Sequence, residues 1–219
     1  MNKLVVGFDF DGTLYLSNEI KRNAFYLISS DYFDGEIIIE KILDKNPFLD
    51  RYSIFKLFSE EYKNKFPNSM RIKPLDLSRK YSEICFNHIT ELIPPRKGVF
   101  ELLNFLLEKN ISCYLISATP EKDLKKIVLK LNLNKYFKFI FGAPDSKEKI
   151  IKSIILDEGI IKKSFFYVGD NLKDYEASKD VGCSFVPISD DEHFNKINQT
   201  VFNNLSDLIK IFESKISIN

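Results

Sequence analysis

The stretch Leu4-Val5-Val6-Gly7-Phe8-Asp9-Phe10-Asp11-Gly12-Thr13 runs from continuous apolar residues into two carboxylates and a glycine. An apolar run rich in Val and Phe reads as a strand buried on both faces, as in a parallel sheet. Its carboxyl end is then the place where an open α/β sheet binds its ligands. Asp9 and Asp11 stand two residues apart at that end. Two carboxylates about 4 Å apart repel by ~4 kcal/mol at an effective dielectric of about 20. Such a pair persists if a cation neutralises it or if one member holds a proton. Gly12 permits an abrupt turn and a close backbone approach to a ligand. A plain strand-ending turn is the competing reading, since Asp and Gly favour turns.

Outward from this stretch, the theme repeats. Apolar runs at 111–117, 137–141, 165–168 and 183–188 read as further strands. Between them lie stripes at helical spacing: Val99, Leu102, Leu103, Leu106 and Leu107; Leu124, Ile127, Val128 and Leu131; Ile150, Ile151, Ile154 and Ile155. Strands alternating with helices predict βαβ units. Residues 17–94 break the alternation. Helices are predicted at 36–45, 50–65 and 75–92, separated by Asn46-Pro47 and Phe66-Pro67-Asn68 and closed by Pro94-Pro95. Phe55, Phe58, Tyr62 and Phe66 read as the core of that bundle. The fold class expected is α/β, a doubly wound parallel sheet with a Rossmann-like core over 1–16 and 95–219. An all-helical domain, 17–94, is inserted after the first strand.

Composition narrows the function. With 32 basic and 31 acidic residues the formal net charge is +1, which disfavours nucleic-acid binding as the main task. Cys85, Cys113 and Cys183 are far apart, which predicts reduced thiols rather than a zinc cluster or a disulfide framework. The apolar run at the start is too short for a membrane span, so a soluble, cytoplasmic protein with no membrane partner is expected. His88 and His193 stand alone, without metal-ligand spacing.

Three more strand ends carry polar residues. Gly169-Asp170-Asn171-Leu172-Lys173-Asp174 follows the fourth apolar run. Asp170 there is either a helix N-cap or one of several hard oxygen ligands suited to Mg²⁺. Leu115-Ile116-Ser117-Ala118-Thr119-Pro120 runs into a helix start, with Pro120 placed to suit the first helical position. Its hydroxyls cap that helix or, with free helix N–H groups, form an anion site. Gly142-Ala143-Pro144-Asp145-Ser146-Lys147 puts a lysine at a helix N-terminus, where the dipole disfavours it unless an anion is bound.

Taken together, the four segments resemble the haloacid dehalogenase-like hydrolase superfamily over the whole chain. Asp9-Phe10-Asp11-Gly12-Thr13 matches its first motif and Ser117 its second. Lys147 matches the third, and Gly169-Asp170 through Asp174 has the Gly-Asp-x-x-x-Asp form of the fourth. The helical insert resembles a type 1 cap. The resemblance implies a phosphoaspartyl mechanism, with Asp9 as nucleophile and Asp11 as general acid and base. It further implies Mg²⁺ held by Asp9, Asp170, Asp174 and Asp11, the last through its backbone carbonyl, with Asn171 and Asp174 as supporting or water-mediated partners. Ser117, Lys147 and backbone N–H groups near Gly12 and Ala118 would then hold the phosphoryl oxygens. Arg51, after an inter-helix loop, is the candidate for reading the leaving group, which the cap would enclose. Asp11 argues against dehalogenation, which needs no leaving-group proton. The function expected is a Mg²⁺-dependent phosphatase acting on a small phosphorylated metabolite. The alternatives are a phosphomutase with the same motifs and a binding protein that keeps the fold.

Overall fold

The first strand, β1 (Val5–Phe8), is buried along its whole length. The computed structural model describes residues 3–47, 49–189, 194 and 200–217, so His193 lies outside the described residues. After β1 the chain passes into α1 (Asn18–Ser29), α2 (Gly35–Lys45), α3 (Arg51–Lys65) and α4 (Pro74–Glu91). It then continues through α5 (Val99–Glu108), β2 (Ser112–Pro120), α6 (Glu121–Lys130), β3 (Phe139–Ala143) and α7 (Lys147–Asp157). The last elements are β4 (Phe165–Gly169), α8 (Leu172–Val181), β5 (Ser184–Pro187) and α9 (Leu208–Ser217). The chain divides into two units, Met1–Leu16 with Ile93–Asn219, and Ser17–Leu92.

The first unit carries a five-stranded sheet in the order β3-β2-β1-β4-β5, with every strand pair parallel. The chain winds outward from β1 through β2 to β3, then returns to the other side of β1 for β4 and β5. That reversal lies between β1 and β4. In such sheets the crevice for a ligand opens at the carboxyl ends of the strands flanking the reversal. The helical stripes face the sheet as their spacing predicts: Leu102, Leu103 and Leu106 of α5, Leu124 and Val128 of α6, and Ile151 and Ile154 of α7 are buried. Leu107 is 48% exposed, because it falls at the edge of the α5 stripe.

The second unit is helical and has its own core. Phe25, Phe55 and Phe58 are buried there beside Tyr81 and Ile89. Ring centroids lie 4.5 Å apart for Phe25–Tyr81 and 5.2 Å for Phe25–Phe55, distances at which aromatic pairs attract beyond their area burial. Tyr62 and Phe66 extend the cluster, with centroids 4.9 Å apart. Each fully buried Phe contributes about 1.5–3 kcal/mol. Asp50 caps α3 by accepting from the Tyr52 and Ser53 N–H groups, and Pro74 opens α4. One element of this unit, α1, leaves no separate stripe in the sequence. Its buried face holds only Ala24, Phe25, Ile28 and Ser29, too little apolar surface for a distinct stripe.

Beta2 departs most from expectation. It runs three residues beyond the predicted end at 117, and its register with β3 slips between Ile116 and Pro120. Pro120 is the last strand residue and the N-cap of α6, rather than its first helical residue. The irregular stretch is Ser117-Ala118-Thr119, which places two hydroxyls at the carboxyl end of the sheet.

Candidate active site

Register builds the acidic centre. Phe8 pairs with Val168 across β1 and β4, and the Asp9 N–H donates to the Val168 carbonyl at 2.9 Å. Asp9 therefore leaves β1 level with Gly169, one residue before Asp170. Asp174 arrives from the first turn of α8. Asn171 is the N-cap of that helix, in a capping box with Asp174. Asp170, for which an N-cap was an open reading, is left to face the site. The Asp174 side chain lies directly over Gly169. A Cβ at residue 169 would come within 2.5 Å of the Asp174 Cβ and 2.6 Å of its carboxyl carbon.

Asp9, Asp170 and Asp174 are all buried, and each offers an oxygen within 4.8 Å of the other two. The Asp170 Oδ1 accepts from the Thr13 hydroxyl at 3.3 Å and from the Asn171 amide at 3.2 Å. Lys147, the first residue of α7, reaches into this group. Its Nζ lies 2.5 Å from Asp174 Oδ1 and 3.0 Å from Asp9 Oδ1. Beneath it, the Tyr167 ring centroid is 5.7 Å away, and the Tyr167 hydroxyl donates to the Ile116 carbonyl at 2.9 Å.

Charge does not balance here. Three carboxylates against one ammonium leave two negative charges when all are ionised. Burial pushes the Asp9 carboxyl well above its ordinary range; Lys147 opposes the shift, and Asp174, Asp170 and Asp11 add to it. Burial by itself would lower the Lys147 pKa, but the charge of Asp9 prevails and holds it well above its usual value. Asp9 Oδ1 is buried and accepts no hydrogen bond among the described residues, although Lys147 lies beside it. Lys147 pairs with it at 3.0 Å, but a single ammonium leaves buried negative charge in excess, which is costly. A divalent cation on the three carboxylates would cancel both charges. Hard carboxylate oxygens that leave room for water suit Mg²⁺. The residues fit the ion.

Asp11 is held apart from this group. Its Oδ2 accepts from the Thr119 hydroxyl at 2.9 Å and from the Ser117 hydroxyl at 3.4 Å. Asp11 is not among the three clustered carboxylates. Ser117 does not cap α6; its oxygen accepts the Thr119 N–H at 3.1 Å. Ala118 between them is exposed. Gly12 adopts a left-handed φ of 75°, and its N–H donates to the Tyr15 carbonyl at 2.7 Å. That N–H already has an acceptor within the turn. The Gly12 carbonyl in turn accepts from Arg96, at 2.6 Å from Nη2 and 3.2 Å from Nε.

Arg51 lies in the helical unit as the first residue of α3, with its guanidinium 5.9 Å from the Tyr81 ring centroid. The predicted residues Asp9, Asp11, Gly12, Ser117, Ala118, Lys147, Asp170 and Asp174 all belong to the sheet unit. Four further residues are built into the site there: Thr13, Arg96, Thr119 and Tyr167. Thr13 and Thr119 carried a weak signal, lying in or beside quoted motifs. Arg96 and Tyr167 carried none, because an isolated arginine or strand tyrosine has no spacing to distinguish it.

Comparison with known proteins agrees with the fold. A family model described as haloacid dehalogenase-like hydrolase matches residues 6–188. No curated protein sequence matches the chain. Among solved structures, a predicted phosphoglycolate phosphatase from Haemophilus somnus superposes with a TM-score of 0.75 at 15% identity, covering 97% of this chain and 99% of that one. A provisionally assigned β-phosphoglucomutase from Thermotoga maritima gives 0.72 at 16% identity, covering 96% and 99%. CbbY from Rhodobacter sphaeroides, solved with phosphate, gives 0.63 at 18%, covering 95% and 96%. These structures share the fold. No helix among the described residues is long and apolar enough to cross a membrane.

Proposed function

Because the chain belongs to the haloacid dehalogenase-like hydrolase family, we propose that it is a Mg²⁺-dependent phosphatase that hydrolyses a small phosphorylated metabolite through a phosphoaspartate on Asp9. The observation that carries the reading is the Asp9 carboxylate itself. It is buried among Asp170, Asp174 and Lys147, three carboxylates facing one ammonium, while Asp11 is held separately by hydroxyls.

Asp9, Asp170 and Asp174 would hold the ion. When bound, Mg²⁺ screens the repulsion between the Asp9 carboxylate and the phosphate dianion. Asp9 attacks phosphorus, and the bond from phosphorus to the ester oxygen breaks. The departing oxygen takes the proton carried by Asp11, giving a free alcohol, a phosphoaspartate and an Asp11 carboxylate. Asp11 then removes a proton from water as that water attacks phosphorus. The acyl-phosphate bond breaks, inorganic phosphate leaves, and Asp9 regains its carboxylate. Ser117, Lys147 and the Ala118 N–H are the donors proposed for the phosphoryl oxygens, charge-assisted at Lys147. Gly12 serves by its turn instead, with its N–H bonded to Tyr15 and its carbonyl to Arg96.

Water as the final acceptor makes a phosphatase; a second substrate hydroxyl makes a mutase. The fold shared with the provisionally assigned β-phosphoglucomutase keeps that second reading in view. Phosphate release over a panel of sugar phosphates, phosphoglycolate and nucleotides, with Mg²⁺ and with EDTA, separates them. Metal-dependent release supports the phosphatase. Isomerised product without release supports the mutase, and silence in both assays supports a binding protein.

A further inference from the structure

We propose that Thr119 is a positioning residue for Asp11, and that its hydroxyl sets the orientation in which Asp11 delivers a proton to the leaving group. The inference rests on the reading of Asp11 as general acid. Two hydroxyls converge on one oxygen of Asp11, Oδ2, and Thr119 makes the closer contact, 2.9 Å against 3.4 Å for Ser117. The Ser117 oxygen also accepts the Thr119 N–H, and Ser117 is a proposed phosphate ligand. Thr119 is thus a partner of Asp11 that is not itself among the proposed phosphate ligands. A carboxyl oxygen that accepts from a hydroxyl serves as the acceptor end of the acid, which assigns the transferable proton to Oδ1. As the bond from phosphorus to the ester oxygen breaks, that proton passes to the departing oxygen and Asp11 becomes a carboxylate.

The backbone supports this placement. Thr119 stands in the irregular end of β2, where the register with β3 slips between Ile116 and Pro120. Ser117 and Thr119 are buried there while Ala118 between them is exposed. Gly142 of β3 packs against this segment so closely that a Cβ on it would lie 2.4 Å from the Thr119 carbonyl oxygen.

The test compares kcat/KM for phenyl phosphate, whose leaving group needs a proton, with 4-nitrophenyl phosphate, whose leaving group departs as an anion. The ratio kcat/KM reports the steps through leaving-group departure, so the later water attack does not obscure it. General acid catalysis contributes about 10²–10⁴-fold, and a misplaced acid forfeits part of that. Thr119→Val is expected to lose about 10- to 100-fold on phenyl phosphate and less than about 3-fold on 4-nitrophenyl phosphate, with Thr119→Ser restoring the first. Thr119→Ala should show the same selectivity and serves if the valine protein folds poorly. Equal loss on both esters, or no loss on either, overturns the role of Thr119. Asp11→Asn is the control: if it lacks the selectivity, the general-acid reading fails. A wild-type protein that cleaves neither these two esters nor any ester of the metabolite panel overturns the phosphatase reading and this inference with it.

Discussion

Replacing Lys147 with Met removes the ammonium and keeps much of the side chain's length. Nζ lies 3.0 Å from Asp9 Oδ1 and 2.5 Å from Asp174 Oδ1. At an effective dielectric of about 20, each contact is a gross attraction of about 5–7 kcal/mol, opposed by the cost of burying the ammonium. Removing one partner of a buried ion pair costs about 3–5 kcal/mol. Asp9 softens the blow, because its raised pKa lets it take up a proton when the ammonium is gone. The lower end, about 3 kcal/mol, is therefore expected for Lys147→Met in EDTA, a fall in Tm of roughly 6–12 °C for a chain of this size. Millimolar Mg²⁺ should recover most of the loss, since the ion replaces the missing positive charge. Acidification should recover part of it without metal. The folded state binds the Asp9 proton above the ordinary value of 3.8 and the unfolded state does not, so stability rises as the pH falls toward 3.8. Thermal unfolding of both proteins, with EDTA and with Mg²⁺, reads all three effects. A Tm in EDTA within about 1 °C of wild type would refute the charge balance drawn here.

Two other sites give separate predictions. Glu158 sits at the opposite end of the sheet with Lys3, Lys138 and Tyr114 donating to it. Burial would raise its pKa, but those hydrogen bonds outweigh burial and lower it from 4.5 to about 2. Its contribution is fully present above pH 4.5 and is lost as the pH falls through about 2. The half-exposed lysines reduce its worth to roughly 2 kcal/mol. Glu158→Gln should lower stability at neutral pH by that order and flatten the acid limb of the stability curve, as urea unfolding across pH 2–6 would show. Gly169→Ala drives a methyl into the Asp174 carboxyl. It should destabilise by about 1–3 kcal/mol and shrink the Mg²⁺-induced rise in Tm; an undiminished rise would show that Asp174 is not a ligand.

The parts of this fold legible in the sequence are those that repeat. Unbroken apolar runs marked β1 and β4, and helical stripes marked α5, α6 and α7, because burial on both faces or along one face leaves a period. The acidic cluster was legible as well, since Asp9 and Asp170 stand at strand ends where a parallel sheet must converge, with Asp174 in the helical turn that follows. The end of β2 was not. Its extension to Pro120 depends on the close approach of Gly142, a contact between distant residues that local propensity cannot register. Arg96 was hidden for a similar reason. It donates to the Gly12 carbonyl, 84 residues away, and a backbone atom leaves no mark on the sequence. The resemblance implies phosphate-facing N–H groups near Gly12, and the N–H of Gly12 itself is bonded to Tyr15 within the same turn.

The central claim is a phosphoryl group carried on Asp9, and trapping it is the most direct test. The protein would be mixed with Mg²⁺ and the best ester of the substrate panel, quenched in acid within one turnover, and digested for peptide mass spectrometry. The account predicts a phosphorylated peptide spanning Asp9, absent with EDTA and absent from Asp9→Asn. Metal-dependent phosphate release with no phosphoryl group on that peptide, or release that persists undiminished in Asp9→Asn, would contradict it.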